Sequence, residues 1–206
     1  NDRHLLYLGT DPNTDHNTGP GRTKYHDVAD FFNQRTSRSS SLWEDDVNKY
    51  RFWQLGSEVM QFDSEFKKYK GKVSMVFTSP PYFAKEKYSD DDEQSCNKFP
   101  KYETWRDEFL YETLRTAYEW LRPGGYIAWN IADAKFGKDL LPLEDDSCKF
   151  MEKMGMVFVK KWNMALSNMP GANRVSEDGK TTAKNSCKVN GIIMKAEPIF
   201  IFQKTT

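Results

Sequence analysis

Three cysteines, Cys96, Cys148 and Cys187, are all that this chain of 206 residues carries. The number is odd and the spacings are wide, so neither a disulfide framework nor a zinc site is implied. Such usage sets a reducing, cytoplasmic compartment as the expectation. Long apolar runs are also missing: none approaches the roughly 18 residues that a membrane helix needs. The start, Asn1-Asp2-Arg3-His4, is polar and lacks the apolar core of a signal peptide. Net charge is absent, with 30 Lys and Arg against 30 Asp and Glu. No membrane and no metal are expected, and the sequence sets no oligomeric state. The first residue is not Met, so a trimmed chain or a fragment is expected.

What is present suits one globular domain. Apolar residues make up 38% and aromatic residues 15%, enough for a sizeable core. Charge is uneven: from Lys160 to Thr206 eight Lys and Arg face three Asp and Glu. A basic C-terminal region is what a phosphate-contacting surface needs, although ordinary charge scatter reads the same way. Along the chain, strands alternate with helices. Leu5 to Leu8 is a short buried strand that runs to Asp11. Asp15 to Thr23 is loop. Tyr25, Val28, Ala29 and Phe32 recur at helical spacing, and Ser37 to Ser41 breaks the pattern. Arg51 to Leu55 is a second strand, followed by Gly56-Ser57-Glu58, and Phe62 to Tyr69 is a short helix.

Val73 to Phe77 is the clearest strand, and it runs straight into Thr78-Ser79-Pro80-Pro81-Tyr82-Phe83. A polar loop over Asp90 to Glu93 and a strong helix over Tyr102 to Leu121 follow, stopped by Arg122-Pro123-Gly124-Gly125. Tyr126 to Ile131 is the next strand, ending at Ala132-Asp133. A helix over Leu143 to Met154 stops at Gly155. Val157 to Leu166 and Pro198 to Phe202 are the last strands, joined by a loop rich in Gly, Asn and Lys. This order predicts an α/β fold: a mainly parallel sheet covered on both faces, with an antiparallel pair of C-terminal strands. Residues 1–206 form one domain, with 167–191 as an inserted basic loop.

Ligands of open α/β sheets bind at the carboxyl ends of the strands, where Ser79 to Tyr82 lies. Pro80 and Pro81 fix the backbone and remove two N–H donors, so nearby carbonyls can project into a cleft rather than a ladder. Such a corner suits an exocyclic base amine, whose lone pair is delocalised into the ring. Accepting its two N–H bonds, at Ser79 Oγ and the Pro80 carbonyl, draws the nitrogen toward tetrahedral geometry and frees that pair. Tyr82 offers a stacking face worth about 1–3 kcal/mol. The bland alternative is a stiff turn after a strand.

The segment Thr78-Ser79-Pro80-Pro81-Tyr82 resembles the catalytic motif of the amino-methylating DNA methyltransferases, Asp/Asn/Ser-Pro-Pro-Tyr/Phe/Trp. Leu121-Arg122-Pro123-Gly124-Gly125-Tyr126 resembles the helix-to-strand turn common in class I methyltransferases, and Glu197 to Phe202 resembles the last core strand of the DNA enzymes. The resemblance implies a class I, Rossmann-like fold, S-adenosylmethionine as cofactor and DNA as partner. It assigns catalysis to Ser79, Pro80, Pro81 and Tyr82. On the cofactor side it places Asp11 at the ribose hydroxyls, Ser57 or Glu58 at the adenine amine, and Thr78 beside them. For Asp11 the alternative is a turn cap before Pro12. Phe83, Asp133, Arg174, Lys180, Lys184 and Lys188 are the candidates for base and DNA contact. Asp133 could equally cap a helix, and the lysine-rich loop could be a plain surface hairpin.

One departure stands out. The family passes a Gly-rich loop, Phe-x-Gly-x-Gly, under the cofactor's methionine portion, and no such sequence occurs here. The expectation is that the first strand and its loop precede Asn1. Ser at the first motif position leans toward cytosine N4 over adenine N6, with both targets open. Two other readings stand beside the DNA enzyme: a nucleic-acid-binding module of the same fold that lost the reaction, and a methyltransferase acting on RNA or protein.

Overall fold

The computed structural model describes residues 6–11, 17–19, 22–23, 49–83, 92–166 and 184–206. The helix expected over Tyr25 to Phe32, the break at Ser37 to Ser41 and most of the loop around Asp90 lie outside these residues.

The strand that leads into the proline corner is β5 (Val73–Thr78), rich in β-branched and aromatic residues. It pairs in parallel with β6 (Leu121–Asn130), with Val76 opposite Ile127 and Thr78 opposite Trp129. Between them runs one long helical segment, built from α2 (Tyr102–Trp105), a π turn (Arg106–Leu110) and α3 (Tyr111–Trp120), as the sequence predicts. It ends at Leu121, whose backbone is already extended. The next residues are accommodated by a register shift against β5, with Val73 opposite Leu121 and Met75 opposite Tyr126. Gly124 sits there at φ +76°, a conformation that suits glycine.

The C-terminal strand β11 (Ile192–Lys204) runs antiparallel to both β6 and β9 (Met156–Ala165) and lies between them. In this five-stranded sheet β11 alone opposes the direction shared by β5, β6, β9 and β10 (Ser186–Val189). The sheet is therefore mostly parallel in direction with an antiparallel C-terminal strand, as expected. A second, separate pair of parallel strands joins β1 (Leu6–Thr10) to β4 (Lys49–Trp53).

Several elements differ from the sequence reading. Within the stretch 167–191 read as an inserted loop, β10 forms a hairpin with β11. Asn190 and Gly191 both have positive φ, 49° and 85°, as a tight two-residue turn requires. Within the stretch read as loop near the start, β2 (Asn17–Gly19) and β3 (Arg22–Thr23) pair briefly. After β6 a small hairpin, β7 (Ala134–Phe136) and β8 (Asp139–Leu141), precedes α4 (Leu143–Lys153). The helix read over Phe62 to Tyr69 is two 3₁₀ turns, Met60–Phe62 and Phe66–Tyr69.

The core forms where α3 and α4 pack on the sheet. Leu110, Leu114, Ile127, Trp129, Met151 and Phe202 are fully buried there. Trp129 Nε1 is satisfied by Ser147 Oγ at 3.2 Å, so the indole is buried without an orphaned donor. Lys204 Nζ donates to the carbonyls of Tyr118 and Leu121, each at 3.0 Å, and so satisfies the end of α3. Among the described residues, helices pack on one face of β5 more fully than on the other. Met75 (56% exposed) and Phe77 (67% exposed) stay open, and the helix expected near Phe32 falls outside the described residues.

Candidate active site

Thr78, half-buried, is the last residue of β5 to pair with β6. Pro80 and Pro81 follow, and without N–H donors they end the ladder. Ser79 is left exposed, Pro80 is buried and Pro81 is half-buried. Tyr82 is 4% exposed and belongs to the main core cluster. Phe83 is 2% exposed and has φ +45°, a left-handed conformation that is uncommon for a bulky side chain. This reversal turns its ring inward, with centroids 5.4 Å from Phe136, 5.6 Å from Trp105 and 5.8 Å from Tyr102.

Tyr82, the candidate stacking face, and Phe83, a candidate base contact, both have their rings packed inside. The reason is area. Aromatic rings bury roughly 150–250 Å² each, and a wall of Trp105, Tyr102 and Phe136 beside the corner makes burial the better outcome. Of the motif, Ser79 alone is exposed.

On the cofactor side, Asp11 follows β1 and is half-buried, and its N–H donates to the Trp53 carbonyl at 3.1 Å. It therefore sits where two parallel strands end together. Beyond β4, Thr10 Oγ1 donates to the Leu55 carbonyl and ties the two strand ends. Ser57 and Glu58 divide in role. Ser57 Oγ is hydrogen-bonded to Thr113 Oγ1 on α3 at 2.8 Å. Glu58 is 5% exposed, and its Oε1 accepts from Lys98 at 3.2 Å. Its Oε2 is buried and has no hydrogen-bond partner among the described residues. Gly56 makes room for that carboxylate, since a Cβ at position 56 would collide with it.

Past β6, Asp133 is built into a polar cluster. Its N–H donates to Glu144 Oε1 at 3.2 Å, and the Glu144 N–H donates to Asp133 Oδ1 at 3.1 Å. Asp133 Oδ1 thus accepts a backbone N–H from the first turn of α4. Glu144, 5% exposed, also accepts from Asn185 Nδ2 at 2.8 Å. Lys184 bridges both acids: it pairs with Asp133 and lies 3.3 Å from Glu144 Oε2. Partial burial works against its charge, but the hydrogen bonds and fields of Asp133 and Glu144 outweigh that and raise its pKa. The Lys184 ammonium, a candidate phosphate contact, here faces two carboxylates. Lys188 on β10 is exposed, whereas Arg174 and Lys180 lie outside the described residues.

A cavity of about 160 Å³ opens beside this cluster, lined by Asp133, Leu140, Glu144, Lys184, Asn185 and Lys195 together with Ala196. Ser79 to Tyr82 do not line it. Sequence reasoning missed Glu144, Asn185 and Lys98. The acidic run Glu144-Asp145-Asp146 is legible as a first helical turn. Its partners lie far along the chain, so spacing gave no signal for them.

Cys148 lies half-buried on α4 with a free thiol. Burial, aided by the nearby Glu152, Glu144 and Asp145, pushes its thiol up to about 12. Alkylation of the native protein with iodoacetamide at neutral pH should therefore leave Cys148 essentially unmodified until the chain unfolds, as read by peptide mass mapping.

Comparison with known proteins gives one family match. The model described as DNA methylase (N6/N4 methyltransferases) covers residues 73–206. A search of curated sequences finds no significant match. Among solved structures, a DNA modification methylase of Thermus thermophilus, complexed with S-adenosyl-L-methionine, is 20% identical with a TM-score of 0.43, over 74% of this chain and 54% of that one. The cytosine-N4-specific PvuII DNA methyltransferase is 14% identical with a TM-score of 0.40, over 66% and 44%. The YcgJ protein of Bacillus subtilis is 12% identical with a TM-score of 0.47, over 98% and 93%. The chain spans about half the length of the Thermus protein, 51% in its selenomethionine form.

Proposed function

Because the chain belongs to the N6/N4 DNA methylase family, we propose that it is the catalytic part of an S-adenosylmethionine-dependent DNA methyltransferase. Its target is the exocyclic amine of a flipped base, cytosine N4 or adenine N6. The observation that carries this reading is Ser79, an exposed residue at the carboxyl end of β5, set directly before two prolines.

The residues around the strand ends fit the adenosine portion of that cofactor. Glu58 keeps one buried oxygen without a partner among the described residues, over a glycine whose missing Cβ gives it room. Asp11, where β1 and β4 end together, suits a ribose diol. The bound cofactor supplies an electrophilic methyl group on a sulfonium. Ser79 Oγ and the Pro80 carbonyl accept the two N–H bonds of the base amine and hold its nitrogen for in-line attack, so positioning does most of the work. The base leaves the duplex to reach this corner. Tyr82 acts first as the corner's packed support, and it meets a base only where its present packing opens. Lys188, with Arg174 and Lys180, contacts phosphates.

The test is methyl transfer from tritiated S-adenosylmethionine by the intact protein, offered DNA, RNA and protein in parallel. Label should enter DNA. Label confined to RNA or protein would replace the substrate assigned here. No calorimetric binding of the cofactor would leave the binding-module reading in its place. Ser79→Ala should lower transfer by about 10²-fold, the scale of losing one aligned hydrogen-bonding group in a site. The residue is exposed, so the thermal midpoint should hold. Unchanged turnover in this variant removes Ser79 from the chemistry.

A further inference from the structure

Lys98 ends α1 (Ser95–Lys98), the short helix that follows the catalytic corner. Its ammonium lies 3.2 Å from Glu58 Oε1 and 3.1 Å from Glu93 Oε2. The three side chains differ sharply in exposure: 4% for Glu58, 29% for Lys98 and 61% for Glu93. A carboxylate as deeply buried as Glu58 needs a countercharge or several donors, since isolating it costs several kcal/mol. Lys98 is the countercharge. Partial burial opposes its own charge, but bonds to Glu93 and Glu58 outweigh this and raise its pKa, so it stays an ammonium at neutral pH.

The bond is one-sided. Lys98 occupies Oε1, and Oε2 has no partner among the described residues. Gly56 lies against the same carboxylate and leaves no Cβ in the way. Ser57, the neighbouring polar side chain, is engaged by Thr113. Among the described residues, the Glu58 carboxylate thus keeps a buried acceptor past the end of β4, and a residue from beyond the catalytic corner holds it.

We propose that Lys98 is a positioning residue that clamps the Glu58 carboxylate through Oε1 and so reserves Oε2 for the amine of the cofactor's adenine. This rests on the cofactor reading above. It ties the segment after Ser79-Pro80-Pro81-Tyr82 to the adenosine side of the site through one ion pair. Lys98 itself touches neither the methyl group nor the base.

The experiment is calorimetry on the intact protein with two non-reacting probes, S-adenosylhomocysteine and its inosine counterpart, in which a carbonyl replaces the adenine amine. The unmodified protein should prefer the adenosine probe by about tenfold or more, the scale of one hydrogen bond to a charged group. Lys98→Met should lose most of that preference, because the freed carboxylate no longer holds its orientation. Lys98→Arg should restore it to within about threefold, since the countercharge returns. Glu58→Gln keeps the shape, supplies an amide donor and should shift preference toward the inosine probe. That variant also guards against a Lys98→Met chain that fails to fold. Equal binding of both probes by the unmodified protein overturns the inference while sparing the cofactor reading. So does full discrimination by a folded Lys98→Met protein. Failure of the unmodified protein to bind S-adenosylhomocysteine at all overturns the cofactor reading itself.

Discussion

Tyr82→Ala should lower the free energy of unfolding by about 3–5 kcal/mol, the usual range when a buried aromatic ring is cut back to a methyl group. The ring is 4% exposed and sits in the same cluster as Phe83, Trp105 and Trp129, so its removal leaves a cavity that neighbours fill only in part. For a chain whose whole stability is of the order of 5–15 kcal/mol, that is a large share. Methyl transfer should disappear with it, but as a consequence of a loosened corner as much as of a lost contact. Tyr82→Phe separates the two. It keeps ring and volume, so stability should stay close to the unmodified protein. Urea unfolding of both variants is the measurement. A loss below about 1 kcal/mol for Tyr82→Ala would place the ring outside the core and return it to the role of an open stacking face.

The second large effect concerns Glu144. Its carboxylate accepts from the Asp133 N–H, Asn185 Nδ2 and Lys184, and it is itself buried. Glu144→Ala removes the acceptor from all three. Asn185 is buried as well, and an unsatisfied buried donor costs about 1–3 kcal/mol. The backbone donor of Asp133 adds to this, whereas Lys184, whose side chain is 59% exposed, turns to water and adds little. A loss of about 3 kcal/mol is expected overall, read by the same urea titration. Lys184→Glu should act in the same direction, by setting a third carboxylate beside Asp133 and Glu144. Its effect should appear as lowered stability, not as a changed salt dependence of DNA binding with the fold intact. A variant of normal stability with a reduced salt slope would restore Lys184 to the DNA interface.

Much of the fold could be read from residue order. Val73 to Thr78 is rich in apolar and β-branched residues, and two prolines follow one residue after it, so both the strand and its exit were legible. Tyr102 to Trp120 carried helical spacing, and Gly155 marked the end of α4; it has φ +87°. The hairpin of β10 and β11 was also signalled, by Asn190-Gly191 between apolar residues, but a basic composition obscured it. The π turn at Arg106–Leu110 carried no sequence signal, because it reflects how the segment's face is rotated to meet the sheet.

The candidate site divides along the same line. Local chemistry along the chain determined the corner: only consecutive prolines after a strand remove the donors that would continue a ladder, and that holds whatever the rest of the protein does. Which side chains the corner shows to solvent was not local. Burial depends on what packs from elsewhere, and Trp105 and Phe136, distant in sequence, decided that the Phe83 ring turns inward. Charge obeyed the same rule. Lys184 reads as a phosphate contact along the chain and Lys98 carries no signal there, and only the fold sets each against a buried carboxylate far away in sequence. Coulomb attraction and desolvation act through space, so a linear pattern carries the groups but not their partners.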